Sequence, residues 1–250
     1  MDSGYYAALT GLVARMQAFE VTANNTANLS TTGYKVQHEF YKTLTASLNA
    51  SKTPKLSPLN QAVNNYGVLG GSAVDLRNGT LERTGNDLDV ALEGPGFFAI
   101  QAKNGLRYTR NGSFRVTQLG RLISATGEPV LGEQGRPIDI LSGPVSISPD
   151  GTISQKGAVV GKLRLVDFAP GTPLTPEGNS IYAVPTGAER PLLDPRVRQG
   201  MLESSNQNPV TSVVDTIILQ RHMELLEHAL SIFNTDFDRT AAEQLTQVPS

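Results

Sequence analysis

The chain has 250 residues, 39% of them hydrophobic, and carries a formal net charge of −2 with a pI near 5.9. This length suits one large domain or two smaller ones, and the charge disfavours nucleic acid or an anionic membrane as a partner, because both require a basic surface. The absence of cysteine excludes disulfides, thiolate zinc sites, iron–sulfur clusters and cysteine nucleophiles.

We expect neither a membrane span nor a cleavable signal peptide. No run of about 18 apolar residues is present, and Met1–Gly4 lacks the basic stretch and apolar core of a signal peptide. If the protein leaves the cytoplasm, its export route must therefore read a different signal.

The first 30 residues are predicted to form a helix that ends toward Ser30–Gly33. Mostly apolar side chains recur at alternating spacings of four and three residues, which defines a heptad seam. The seam consists of Tyr5, Leu9, Leu12, Met16, Phe19, Ala23 and Thr26.

A second helix is predicted from about residue 210 to 245, with Pro209 at its start. One apolar seam along it consists of Leu219, Met223, Leu226, Leu230, Phe233 and Phe237. The other consists of Val214, Ile218, Leu225 and Ile232, interrupted by Arg221 and His228. A helix that is apolar over so wide an arc requires neighbours on more than one side.

Between the helices, from about residue 66 to 195, glycine and proline are frequent and the helical period disappears. Turn dipeptides predict a β-rich region, and they are Asn78–Gly79, Asn104–Gly105, Asn111–Gly112 and Asp150–Gly151. The short runs read as strands are Leu88–Leu92, Phe97–Ile100, Val145–Ile147 and Lys162–Val166.

The predicted fold class is α+β, mainly β, with the terminal helices pairing as a coiled-coil-like domain and the β-rich domain inserted between them. The expected boundaries are 1–30 and 210–250 for the helical assembly domain, 31–75 and 193–209 for an extended connector, and 76–192 for the β-rich domain. Two helices form only one seam, so we expect the ends to order when neighbouring copies arrive, as in head-to-tail assembly.

Several motifs resemble those of the flagellar rod and hook proteins, in the same order along the chain. They are Ala23–Lys35 (ANNTANLSTTGYK), Leu88–Phe98 (LDVALEGPGFF), Tyr108–Phe114 (YTRNGSF), Ser148–Ile153 (SPDGTI), Gln199–Asn208 (QGMLESSNQN) and Leu219–Arg221 (LQR). The length, the LESSN segment and the ending Asp238–Ala242 resemble the proximal rod protein, with the distal rod protein as the close competitor.

The resemblance implies a non-enzymatic structural subunit of the periplasmic basal-body rod, without cofactor, metal or small-molecule substrate. Its implied partners are other copies of itself, other rod proteins and the flagellar export apparatus, which accepts it without a cleaved signal. The family picture also places the β domain outside a tube of coaxial helices. The alternative from another class is a secreted β-rich binding or adhesion module with a small coiled-coil stalk.

Residues expected at subunit contacts lie on the two helices and the asparagine motif. They are Leu9, Leu12, Met16, Phe19, Asn24, Asn25, Asn28, Leu219, Met223, Leu226, Leu230 and Phe233. The asparagine amides can bond a neighbouring helix or cap backbone ends, or they can be loop residues beyond an earlier helix end.

Other motif residues have local interpretations. Gly33 is expected to need a positive φ or close packing, and the turn at Gly94–Gly96 is expected to precede two core phenylalanines, one of which could instead anchor a neighbouring subunit. Arg110 is expected to be a solvated turn charge or a pairing residue across subunits. Arg221, with Gln220 beside it, either fixes the register of a seam or is simply exposed.

No catalytic constellation is present in the sequence. His222 and His228 are six residues apart, whereas the helical zinc motif requires four. The segment Gly157–Lys162 resembles a phosphate-binding loop but is one residue short, and Leu163 stands where a hydroxyl would hold Mg²⁺. We interpret it as a hairpin strand.

Overall fold

The computed structural model describes residues 2–43, 67–141 and 143–245. These residues form two helices, α1 (Asp2–Ala27) and α2 (Pro209–Leu245), with strands between them. The strands are β1 Gln37–Thr43, β2 Gly67–Val74, β3 Leu81–Arg83, β4 Val90–Leu92, β5 Phe97–Ala102, β6 Gly105–Thr109, β7 Arg115–Val116, β8 Leu122–Ile123, β9 Ser146–Ile147, β10 Thr152–Gln155, β11 Ala158–Lys162, β12 Leu165–Phe168, β13 Thr175–Pro176, β14 Ile181–Ala183, β15 Glu189–Pro191, β16 Val197–Gln199 and β17 Met201–Glu203. A mainly β fold with a helix near each end is thereby confirmed.

The chain divides into two compact units. The helical unit comprises Met1–Thr26, Gln37–Ser72 and Pro209–Ser250, and the β unit comprises Ala27–Val36 and Ala73–Asn208. Within the predicted connector, 44–66 lies outside the described residues. Its second part, 193–209, contains β16 and β17, which pair with β4 and β3.

The β unit is organised around an antiparallel six-stranded sheet in the order β13-β14-β6-β5-β12-β15. A three-stranded sheet, β11-β10-β9, and the pairs β16-β4, β17-β3 and β7-β8 complete its strand pairing in the described residues. Gly157–Lys162 belongs to the β10–β11 hairpin, as the sequence predicted.

Two apolar clusters lie on opposite sides of β5 because neighbouring side chains on a strand point to opposite faces. Phe98 joins one cluster with Phe114 and Ile153, while Phe97 joins the other with Phe168 and a tyrosine of β14. Both phenylalanines are buried within the β unit, as predicted. The alternative that one of them anchors a neighbouring subunit is wrong because neither ring is accessible.

Two of the four turn dipeptides lie at hairpins, namely Asn104–Gly105 between β5 and β6 and Asp150–Gly151 between β9 and β10. The other two glycines permit close backbone approach instead. A β carbon on Gly79 would lie 1.9 Å from the Ser204 carbonyl oxygen, and one on Gly112 would lie 1.7 Å from that of Val90. Glycine is therefore required at both positions for a reason other than a hairpin turn.

Candidate assembly site

Small residues form the buried face of α1. Ala14, Ala18, Thr22 and Asn25 recur three or four residues apart and are all buried. Gly11 extends the same face, and a β carbon there would lie 3.7 Å from the Leu226 side chain of α2. Close approach between helices favours small side chains at this spacing.

The two helices run antiparallel within the helical unit. Near the end of α1, the Thr26 hydroxyl hydrogen-bonds the Ser212 hydroxyl at the start of α2. Fifteen residues earlier, Gly11 meets Leu226, fourteen residues further along α2. The contacts therefore progress in opposite directions along the two helices.

The residues predicted at subunit contacts have different accessibilities. Leu9, Met16, Asn24 and Phe233 are exposed; Leu12, Phe19, Asn28, Met223, Leu226 and Leu230 are half-buried; Asn25 and Leu219 are buried. The seam that begins at Leu219 thus faces inward over much of its described length.

The second seam of α2 is open to solvent. Val214, Ile218, Leu225 and Ile232 are 48%, 45%, 66% and 49% exposed. On α1, Leu9, Val13 and Met16 are 39%, 47% and 52% exposed. Large apolar side chains at a regular helical spacing on a surface are typical of a protein-contact face.

The second asparagine of the motif, Asn25, forms hydrogen bonds within the chain. α1 continues to Ala27, so Asn24 and Asn25 lie in the helix, and the alternative of an earlier helix end is wrong for them. The Asn25 amide donates to the Gln37 carbonyl at 2.8 Å and its oxygen accepts from the Gln37 backbone N–H at 3.0 Å. Asn25 therefore satisfies both backbone groups of the first residue of β1.

Asn28 follows the helix and stabilises the turn that leads to Gly33. Its carbonyl and its side-chain oxygen accept hydrogen bonds from the N–H and the hydroxyl of Thr31. Gly33 has the predicted positive φ, 67°, and a β carbon there would lie 2.4 Å from the backbone nitrogen of Asn111.

A buried ion cluster lies where three segments of the β unit meet. The Lys35 ammonium is 2.7 Å from one Glu203 carboxylate oxygen, and the Arg110 guanidinium is 3.4 Å from the other. Each of the three side chains is 1% exposed. A single carboxylate therefore balances two buried cations.

The expectation of a solvated Arg110 is wrong. Its guanidinium donates to the carbonyls of Leu92 and Gly94 and to the Asn78 side chain, and it lies over the Phe97 ring with the guanidinium carbon 5.5 Å from the ring centroid. These partners come from strands and turns that are distant in sequence, so the local turn pattern around Arg110 gave no indication of its burial.

Glu203 and Asn206 join the segment that follows α1 to the segment that precedes α2. The Gly33 N–H donates to the Glu203 carbonyl at 2.7 Å, and the Val36 N–H donates to the Asn206 side chain at 2.8 Å. The Glu203 carboxylate also accepts from the Gly79 N–H at 2.8 Å. These bonds hold three chain segments together at one place.

Burial dominates the electrostatics of the cluster. Desolvation lowers the pKa of Lys35, against the opposing attraction of Glu203, and the positive charge of Arg110 lowers it further. Desolvation likewise lowers the pKa of Arg110. Two cations competing for one carboxylate make Glu203 the residue on which the cluster depends.

Comparison with known proteins identifies the family. The flagella basal body rod protein family matches residues 6–35, and the flagellar hook protein FlgE/F/G D1 domain matches residues 91–159. The flagellar basal-body rod protein FlgF of Caulobacter vibrioides is 34% identical, covering 99% of this chain and 100% of the relative. The chain belongs to the flagellar basal-body rod protein family.

Other relatives carry two different names within this family. FlgF of Escherichia coli is 34% identical over 98% of both chains. FlgG of Agrobacterium fabrum is 32% identical and covers 87% of this chain and 90% of the relative. These full-length matches are to rod proteins, and they lend no support to the adhesion-module alternative.

The ion cluster of this rod-family chain was missed by sequence reasoning. Each of its charges belongs to a separate motif, Lys35 to the first, Arg110 to the third and Glu203 to the LESSN segment. A charged residue at a fixed place in three separate motifs was the available signal, but nothing in the sequence indicates that the three meet.

The rod-family chain offers no obvious metal site in its described residues, where no group of three or more histidine, aspartate or glutamate side chains is placed to bind an ion. His38, His222 and His228 are exposed. None of the helices, over the residues described, has the length and apolar character that crossing a membrane requires.

Proposed function

We propose that this chain is a structural subunit of the flagellar basal-body rod and that it enters the polymer through its helical unit. The observation that carries the proposal is the set of exposed apolar side chains on both helices, which includes Leu225. Family membership supports the rod assignment, and the partners would be other copies of the chain and other rod proteins.

Neighbouring copies would complete the packing that two helices cannot complete alone. Full burial of an exposed leucine, isoleucine or valine contributes roughly 1.5–3 kcal/mol, and about half of this remains to be gained by seam side chains that are 45–66% exposed. Several such contacts outweigh the side-chain ordering cost, which is roughly 0.5–1 kcal/mol for leucine or isoleucine. In this proposal 1–30 and 210–250 act as the assembly domain, and the antiparallel helices form its coiled-coil-like core.

The family resemblance supports two further parts of the proposal. The subunit would reach the periplasmic rod through the flagellar export apparatus without a cleaved signal. Among the two rod-protein names that its relatives carry, we favour the FlgF type. Two relatives of that name align over 98–99% of the chain, and the length, the LESSN segment and the ending Asp238–Ala242 resemble the proximal rod protein.

Two neighbouring leucines provide a matched test. Leu225 is 66% exposed, whereas Leu226 is half-buried beside Gly11. We expect Leu225→Asp to leave the monomer's helical content and unfolding unchanged but to abolish incorporation into basal bodies and swimming. Leu226→Asp should lower the stability of the helical unit in the monomer itself.

The readouts are circular dichroism of the purified monomer, and immunoblotting of isolated basal bodies from a strain lacking the chromosomal copy. Normal incorporation of Leu225→Asp would contradict the proposal. Loss of incorporation accompanied by a misfolded monomer would not support it, and Val214→Asp on the same seam then serves as the second variant.

A further inference from the structure

The outward faces of the two helices carry complementary residues. On α1 the exposed residues that recur at spacings of four and three are Leu9, Val13, Met16, Glu20 and Ala23. On α2 the corresponding exposed series is Ile218, Arg221, Leu225, His228 and Ile232. Both series are heptad seams that point away from the intramolecular helix contact.

Each seam contains one residue that is charged at neutral pH. In the α1 seam it is Glu20, flanked by Met16 and Ala23, and in the α2 seam it is Arg221, flanked by Ile218 and Leu225. Neither Glu20 nor Arg221 has an ion-pair partner among the described residues, and both are exposed. Opposite charges set among apolar neighbours at a regular spacing are a means of fixing partner and register.

We propose that Glu20 of one copy pairs with Arg221 of a second copy, where the outer seam of α1 packs antiparallel against the outer seam of α2. This inference rests on the proposed function and names the contact that it requires. The antiparallel register that follows places opposite one another Leu9 and Ile232, Val13 and His228, Met16 and Leu225, Glu20 and Arg221, and Ala23 and Ile218.

The register matches size as well as charge. Ala23, the smallest residue of the α1 seam, faces Ile218, and the large Met16 faces Leu225. The one apolar–polar row pairs Val13 with His228. The remaining rows are apolar and surround the ion pair, which would exclude water from it.

The antiparallel orientation of the two helices at this contact follows from the symmetry of open-ended assembly. Rotation about an axis and translation along it relate all copies in a head-to-tail polymer, so every copy points the same way. When the helices are nearly parallel to that axis, α1 of one copy and α2 of another keep the antiparallel relation that they have within one copy. The neighbour's α2 is then the helix that matches the α1 seam.

Charge reversal in the full-length chain tests the pairing. Glu20→Arg and Arg221→Glu are each expected to weaken self-association by about tenfold or more, because like charges then face each other at the contact. An equimolar mixture of the two single variants should associate like the wild type, since each reversed α1 finds the reversed α2 of the other variant. Sedimentation of the purified chains over a range of concentrations measures both effects.

The controls separate this pair from charge in general and from contacts within one chain. Glu227→Arg makes the same change in net charge as Glu20→Arg, at an exposed position of α2 outside the seam. This variant should associate normally. Rescue by the double variant in one chain, without rescue by the mixture, would show an intramolecular pair and overturn the proposal. Wild-type association by the single variants would also overturn it.

Failure of the Glu20–Arg221 pairing can be distinguished from failure of the proposed function. A wild-type chain that remains monomeric at all concentrations would overturn the second copy as occupant of the seam. The basal-body test of Leu225→Asp would still decide whether the helical unit mediates incorporation. Swimming restored by co-producing Glu20→Arg and Arg221→Glu chains, neither of which suffices alone, would support the pairing in the cell.

Discussion

The β unit and the helical unit differ in how two sets of their large apolar side chains are placed. In the β unit, neighbouring residues Phe97 and Phe98 are both buried, one in each of two clusters. In the helical unit, Ile218 and Leu225 are 45% and 66% exposed although they lie on a helix with a packed partner. The β unit buries both phenylalanines in its own core, whereas the helical unit leaves a regular series of apolar side chains exposed along α2.

Charged residues show the same contrast. The β unit encloses Lys35, Arg110 and Glu203 at 1% exposure, where the three side chains depend on one another. The helical unit leaves Glu20 and Arg221 exposed. Buried charges hold one fold together, while exposed charges within apolar seams are available to select a partner.

The largest expected effect comes from removing the carboxylate of the buried ion cluster. Glu203→Ala removes the carboxylate that is in ion-pair contact with the buried Lys35 ammonium and Arg110 guanidinium, and it should lower the free energy of unfolding by about 3–5 kcal/mol. Urea unfolding of the purified chain measures the loss. The matched control, Glu93→Ala, breaks an exposed pair with Arg198 and should cost at most about 1 kcal/mol. Equal losses from the two variants would contradict the importance of the cluster.

Close packing in the β unit can be tested at one glycine. Gly112→Ala would place a β carbon 1.7 Å from the Val90 carbonyl oxygen, so strands must move, and we expect a loss of about 3 kcal/mol. Gly161→Ala is the control, because its nearest neighbour, Ile138, would be in ordinary contact at 3.5 Å. Thermal unfolding of both variants measures the difference, and a wild-type melting temperature for Gly112→Ala would refute the predicted clash.

The inner face of α1 provides a smaller effect in the helical unit. Ala18 is fully buried, so Ala18→Leu should force the helices apart and destabilise the helical unit by about 1–3 kcal/mol. Ala23→Leu, on the exposed face, should leave the dilute monomer unchanged. Helical circular dichroism during urea unfolding reports both, and identical curves would argue against a small-residue contact face.

The smallest effect is a pH dependence carried by the β unit. Burial raises the pKa of Tyr182 above its ordinary value near 10, although its hydroxyl accepts a hydrogen bond from the Lys35 N–H. Above pH 10 the unfolded chain loses this proton while the folded chain keeps it. Stability therefore falls with rising pH, by up to about 1.4 kcal/mol per pH unit.

Comparison with Tyr182→Phe isolates this titration. Between its lowered pKa and 10.5, Lys35 acts in the opposite direction, because there the unfolded chain binds the extra proton. Urea unfolding between pH 9 and 11 should therefore show a shallower loss for Tyr182→Phe than for the wild type. Equal slopes would mean that Tyr182 titrates alike in both states.

The sequence best predicted the structural elements that depend on the spacing of neighbouring residues. The 3.6-residue period predicted both helices, and Pro209 marked the start of α2. Asn104–Gly105 and Asp150–Gly151 correctly predicted two hairpins. The Asn–Gly dipeptides at Asn78 and Asn111 did not, because close approach of distant backbone explains those glycines. A dipeptide describes local conformation and carries no information about a distant neighbour.

The sequence alone determined the terminal helices, the broad apolar arc of α2 and the family motifs. Periodicity and motif order can be read along the chain without knowledge of the fold. Only the tertiary structure decided which arc of α2 faces inward, since that depends on the contacts of Gly11 with Leu226 and of Thr26 with Ser212. It also decided that Lys35, Arg110 and Glu203 meet, because long-range strand pairing brings together segments that are up to 168 residues apart.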